Sequence, residues 1–98
     1  MTVELIDKVE DSECDNVDVR VVLNGQETYV ATFFTLKNIE SIMRHFSNTG
    51  ECLSGTYFWS SNMIITHILT QSNIEKVIAD MLDTGEFFDV FNKQESSF

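Results

Sequence analysis

The chain contains no proline and only four glycines among its 98 residues. The missing proline excludes a stiff polyproline arm and any ring-broken helix. The glycines Gly25, Gly50, Gly55 and Gly85 are isolated, so no glycine-rich loop is present to cradle a phosphate. Basic residues are equally scarce, six Lys and Arg against sixteen acids, for a net charge of −10. No basic patch interleaves with aromatics, and a field of this sign repels nucleic acid and membrane surfaces alike. No run approaches the about 18 apolar residues of a membrane span. Residues 1–16 lack the basic start and apolar stretch of a signal peptide, so a cytoplasmic location is expected. The two cysteines, Cys14 and Cys52, are then expected as free thiols.

Catalytic chemistry is just as thin. His45 falls on the polar face of a predicted helix and His67 on a predicted strand, where solvated or packed histidines are the ordinary case. No serine or cysteine sits in a nucleophile signature. Cys14, Cys52, His45 and His67 supply ligand types, but none stands in a C-x-x-C or H-x-x-x-H pair, so no metal or cofactor is assigned. Asp80 and Asp83, three residues apart on a helix, read as a solvated acidic face. The chain is read as not an enzyme; an enzymatic role would need His67 or Cys52 in a cleft.

What is present is one domain's worth of core, 43% hydrophobic and 11% aromatic. A chain this short buries a small share of its surface, so a homodimer is one way to add stability. The acids are unevenly spread. Residues 1–18 hold seven acids against Lys8, a balance of −6, and the remaining 80 residues carry −4. Residues 1–16 therefore read as an acidic arm or edge segment.

Residues 17–23 alternate, with Val17, Val19, Val21 and Leu23 on one face: a half-buried strand. Asn24-Gly25 predicts a two-residue hairpin turn into a strand over 26–34. That turn pairs Val21 with Thr28 and Val19 with Val30, leaving Val22, Tyr29, Ala31 and Phe33 on the other face. Thr35 caps a predicted helix. Phe34 and Ile39 form its staple; Ile39, Ile42, Met43 and Phe46 form its apolar stripe; Gly50 ends it. Residues 51–55 read as a loop. Strands are predicted over Thr56–Trp59 and Met63–Leu69, joined by a turn at Ser60-Ser61-Asn62. A second helix follows, with Ile74, Val77, Ile78, Met81 and Leu82 on one face and Gly85 at its end. Phe87, Phe88, Val90 and Phe91 read as a short apolar cover.

The helical segments match at an offset of 35 residues. Thr35, Asn38, Ile39, Glu40, Thr49, Gly50 and Glu51 fall on the identical Thr70, Asn73, Ile74, Glu75, Thr84, Gly85 and Glu86. Shared start and stop chemistry explains part of this match. The repeated Asn, and the closing Thr-Gly-Glu, favour a duplicated ββα unit. The expected fold is α+β: two ββα units (17–51 and 52–86) forming a four-stranded antiparallel sheet with two helices packed on one face. The domain spans 17–92 and a polar tail 93–98.

Three stretches, Ala31-Thr-Phe-Phe-Thr-Leu-Lys-Asn-Ile39, Thr49-Gly-Glu-Cys-Leu-Ser-Gly55 and Tyr57-Phe-Trp59, resemble a family of small uncharacterised bacterial proteins of about this length. The resemblance covers roughly residues 17–92 and leaves out the acidic arm. It implies an accessory or mobile gene-cassette setting, and carries over no activity and no catalytic residue.

The function expected is a non-enzymatic protein-interaction module, of immunity or inhibitor type, for a basic protein partner. The candidate interaction surface is Tyr29, Phe33, Tyr57 and Trp59, whose aromatic area on strands suits a dimer interface or a partner. The alternative is a small-molecule binding module, with an aromatic pocket lined by Phe33, Tyr57 and Trp59.

Overall fold

The turn at Asn24-Gly25 decides which residues the core receives. The structure, a computed structural model, describes residues 1–95. β2 (Asn16–Leu23) and β3 (Glu27–Thr35) form the expected antiparallel hairpin. Asn24 (φ 54°) and Gly25 (φ 72°) are both left-handed, and the Gln26 N–H closes on the Leu23 carbonyl at 3.1 Å. Leu23 faces Glu27, so three residues make the connection rather than two. That one residue corrects the expected register: Val21 faces Tyr29 and Val19 faces Ala31. A slip of one residue turns a whole strand over. Tyr29, Ala31 and Phe33, rather than Thr28 and Val30, therefore join Val17, Val19 and Val21 in the core. This register buries the larger apolar set, which is the physical reason it wins.

β3 is the centre of the sheet. β1 (Thr2–Leu5) adds antiparallel to the outer side of β2, so part of the acidic arm is an edge strand. The second edge of β3 is shared. β4 (Met63–Thr66) runs parallel to Thr32–Thr35, and β5 (Asn92–Gln94) runs antiparallel to Thr28–Val30. The sheet is thus five-stranded and mixed, not four-stranded and antiparallel. The 27 residues between β3 and β4 are ample for the crossover that parallel pairing requires. Residues 57–60 form no strand. The turn at residues 61 and 62 is kept, with Asn62 left-handed (φ 55°), but its carbonyl accepts from the Thr32 N–H and its amide donates to the Val90 carbonyl at 2.7 Å. Those contacts steer β4 onto β3 instead of back onto residues 56–59. The second ββα unit is therefore a single strand and a helix. Lys93 and Gln94 of the expected tail belong to β5, and residues 96–98 lie outside those described.

The helices answer to the 35-residue offset. α1 (Leu36–Thr49) and α3 (Gln71–Thr84) have 14 residues each. The Thr35 and Thr70 hydroxyls accept from the N–H groups of Asn38 and Asn73, both at 3.1 Å. Gly50 and Gly85 end them with φ of 86° in both cases. The repeated Asn ties each first turn to a strand: Asn38 accepts from Asn16 of β2, and Asn73 donates to Thr66 of β4. Thr49 and Thr84 each accept from the N–H of the Glu two residues on. Between the helices lies α2 (Glu51–Gly55), a single turn in which Cys52, Leu53 and Ser54 are wound left-handed, with φ of 50°, 52° and 55°.

The two helices do not share a face of the sheet. Ile74 and Ile78 of α3 are fully buried against Val19, Val21 and Phe33, and α4 (Phe87–Val90) closes the same side. There Phe87 stacks on Phe91 at 4.2 Å and meets Tyr29 edge-on at 5.1 Å, so two of the four residues of the expected cover are buried, while Val90 is half-buried and Phe88 stays exposed. α1 contributes nothing to this core. It joins the opposite side, towards which alternation turns Phe34. Phe58 sits between Phe34 (5.4 Å) and Phe46 (6.3 Å), a small separate aromatic cluster.

Candidate functional site

The four aromatic residues singled out by sequence separate into two pairs. Tyr29 and Phe33 are core, at 6% and 0% exposure. The register explains this, since Tyr29 lies opposite Val21 and Phe33 opposite Val17. The Tyr29 hydroxyl donates to Glu27 at 2.9 Å. That bond, with burial and the carboxylate charge behind it, raises the Tyr29 pKa above its ordinary value. Tyr57 and Trp59 are exposed, at 47% and 67%, on the segment between α2 and β4. Phe33, Tyr57 and Trp59 therefore do not converge on one pocket, and the described residues enclose none.

Titratable and thiol groups are dispersed as well. His45 and His67 are exposed, and Cys14 and Cys52 are half-buried free thiols. No group of three or more His, Cys, Asp or Glu comes together among the described residues. Among those residues no helix is long and apolar enough to cross a membrane.

Apolar residues are left in solvent on both sides of the sheet: Phe88 on α4 beside Tyr29, and Leu53 and Ile65 towards α1. Among the described residues Leu53, at 74%, is the most exposed large hydrophobic residue, and it stands on the left-handed turn of α2. Each non-glycine residue in that conformation costs about 1–2 kcal/mol. Gly55 locks the turn against α1, because a Cβ there would run into the Met43 carbonyl oxygen. Ile65 is half exposed, and it faces away from the core since its neighbour Ile64 packs into it. The stripe of α1, Ile39, Ile42, Met43 and Phe46, is only half-buried. Leu53 and Ile65 were not legible as surface residues. Leu53 lay in an unremarked loop between two glycines, and Ile65 depended on the unforeseen pairing of β4.

The acids occupy two places with different surroundings. The loop 6–15 passes the N-terminal ends of both long helices. The Asp15 carbonyl accepts from the Thr35 N–H at 3.1 Å, and the Ser12 carbonyl accepts from the Leu69 N–H at 2.7 Å. Glu13 pairs with Lys37 in the first turn of α1. Neither helix has an acid in its own first turn. For α1, Glu13 and Asp15 bring the negative charge that a helix start favours. The Asn16 N–H, at 2.8 Å from the carboxylate, lowers the Asp15 pKa below its ordinary 3.8; burial opposes this, and the Glu10 and Asp11 N–H groups add to it. The second group, Asp80, Asp83, Glu86 and Asp89, is exposed at and beyond the C-terminal end of α3. Four of the sixteen acids are ion-paired (Glu4 with Arg20, Glu13 with Lys37, Glu40 with Arg44, Glu27 with Lys93), and none of this second group is among them.

No family model matches the chain, and no curated protein or solved structure is similar to it.

Proposed function

We propose that the chain is a non-enzymatic protein-interaction module of immunity or inhibitor type, and that it takes a basic partner protein. The observation that carries this reading is the acid group at the end of α3. Asp83 lies in the last turn of α3, where the helix dipole favours cations, at a cost of about 0.3–1 kcal/mol, and Asp80 stands just before that turn. Neither forms an ion pair. Their charge serves an encounter with an external cation better than it serves the fold. The acids of loop 6–15 are the weaker support, since those nearest α1 already stabilise a helix start.

The test is affinity capture from the native host, comparing the natural chain with an Asp80→Lys, Asp83→Lys variant. The reading expects retention of a basic protein that is released as salt rises and is missed by the variant. Retention indifferent to both salt and the charge swap would count against it.

A further inference from the structure

We propose that the α1 side of the sheet is a self-association surface, and that a second copy of this chain covers Leu53, Tyr57 and Trp59. Charge is unevenly divided along the chain. Residues 36–74 carry Lys37 and Arg44 against Glu40 and Glu51, a balance of zero. Residues 1–35 carry −6 and residues 75–98 carry −4, which accounts for the whole −10. The neutral stretch is the one that builds α1, α2, the Tyr57–Ser60 segment and β4. A basic partner is drawn to the charged segments and gains little from this one. This side also carries Glu4, Arg20 and Asp18 of β1 and β2, but the stretch that holds Leu53, Tyr57 and Trp59 brings no net charge against its copy, whereas residues 1–35 and 75–98 bring −6 and −4.

The backbone is strained on the same side. Three consecutive left-handed residues hold Leu53, the most exposed large apolar side chain among the described residues, out in water. Strain of this kind persists where the surroundings over-determine it, and it gathers at binding surfaces. Here Gly55 against α1 supplies the over-determination. Trp59 and Tyr57 follow within six residues, and both are residue types that anchor interfaces. The β1–β2 part of the same sheet face is polar, with Glu4 paired to Arg20 and Asp18 accepting from Thr32. It forms a border to the apolar ground, the arrangement usual at an interface rim.

Sedimentation velocity on the intact chain tests this from micromolar to near-millimolar concentration, with Trp59 fluorescence read in parallel. The expected result is a mass rising from one chain towards two, with a blue shift of the tryptophan emission. Association tightens as salt rises from about 50 to about 500 mM, because screening relieves repulsion between two acidic bodies. Leu53→Asp and Trp59→Ser change exposed side chains, so far-UV circular dichroism is expected to stay native while association weakens at least about tenfold. A mass of one chain throughout, or association unchanged in both variants, overturns the proposal. So does a different protein, rather than a second copy, protecting Trp59. Capture of a basic partner weakens with salt and depends on Asp80 and Asp83, so either proposal can fail without the other.

Discussion

α1 and α3 share their caps, their apolar stripe and their local geometry, yet they do different work. Both have 14 residues, a threonine cap, an asparagine tether and a left-handed glycine end. α3 buries Ile74 and Ile78 completely, whereas α1 buries no residue. Caps and stripes make a helix; the strand beside it decides what the stripe meets. α3 lies over the face that carries Val17, Val19, Val21 and Phe33. α1 lies on the other side, where Phe34 and Phe58 are its aromatic cover.

The sharpest way to break the comparison is to cut matched positions of the two stripes. Ile74→Ala empties a fully buried site and is expected to cost about 2–5 kcal/mol in urea unfolding. Ile39→Ala, its counterpart 35 residues earlier, is expected to cost about half as much in dilute solution. Equal losses would mean that the two stripes are equally covered.

Next in size are the glycines. Gly55→Ala meets the Met43 carbonyl and is strained at φ 82°, so a loss of about 2 kcal/mol or more is expected. Gly50→Ala and Gly85→Ala meet nothing within 4 Å and are expected to lose about 1 kcal/mol each. Thermal denaturation of the three variants side by side checks the order.

The caps come third. Thr35 is fully buried, and its hydroxyl accepts from both Asn38 and Asp15 N–H groups. Thr35→Ala is expected to cost about 2 kcal/mol, and the exposed Thr70→Ala about 1 kcal/mol. A reversed order in chemical denaturation would show that loop 6–15 does not support α1.

The smallest effect is the pH dependence of that same loop. The folded pKa of Asp15 lies below its ordinary value, so its contribution is present above about pH 3.8 and is lost as pH falls through the folded value. Tyr29 has the opposite sense. Its folded pKa is raised, so its contribution holds below its ordinary pH of 10.0 and is lost as pH rises through the folded value. Asp15→Asn is expected to flatten the acid limb of stability against pH and leave the alkaline limb unchanged.

These contrasts show which features could be read in advance. Helix starts, stops and stripes depend on residues within one or two turns, so Thr35, Thr70, Gly50 and Gly85 announced both helices. The aromatic cover at Phe87–Phe91 was legible for the same reason. Pairings over long separations were not. The hairpin register hinged on one turn residue, Gln26, and with it went the placing of Tyr29 and Phe33. The parallel pairing of β4 was hidden because residues 56–59 looked like its local partner, while its true partner lay about 30 residues away. The left-handed turn had no signal, since Cys52, Leu53 and Ser54 are not residues that favour such backbone. Half of the candidate surface, Tyr57 and Trp59, was therefore named from aromatic content alone, and Leu53 and Ile65 were missed.

Amide hydrogen exchange tests the unequal burial of the matched helices most directly. In dilute solution, α3 is expected to exchange only through global unfolding, around Ile74 and Ile78, while α1 opens locally and exchanges faster. Protection of α1 equal to or greater than that of α3 in the dilute chain would contradict the account.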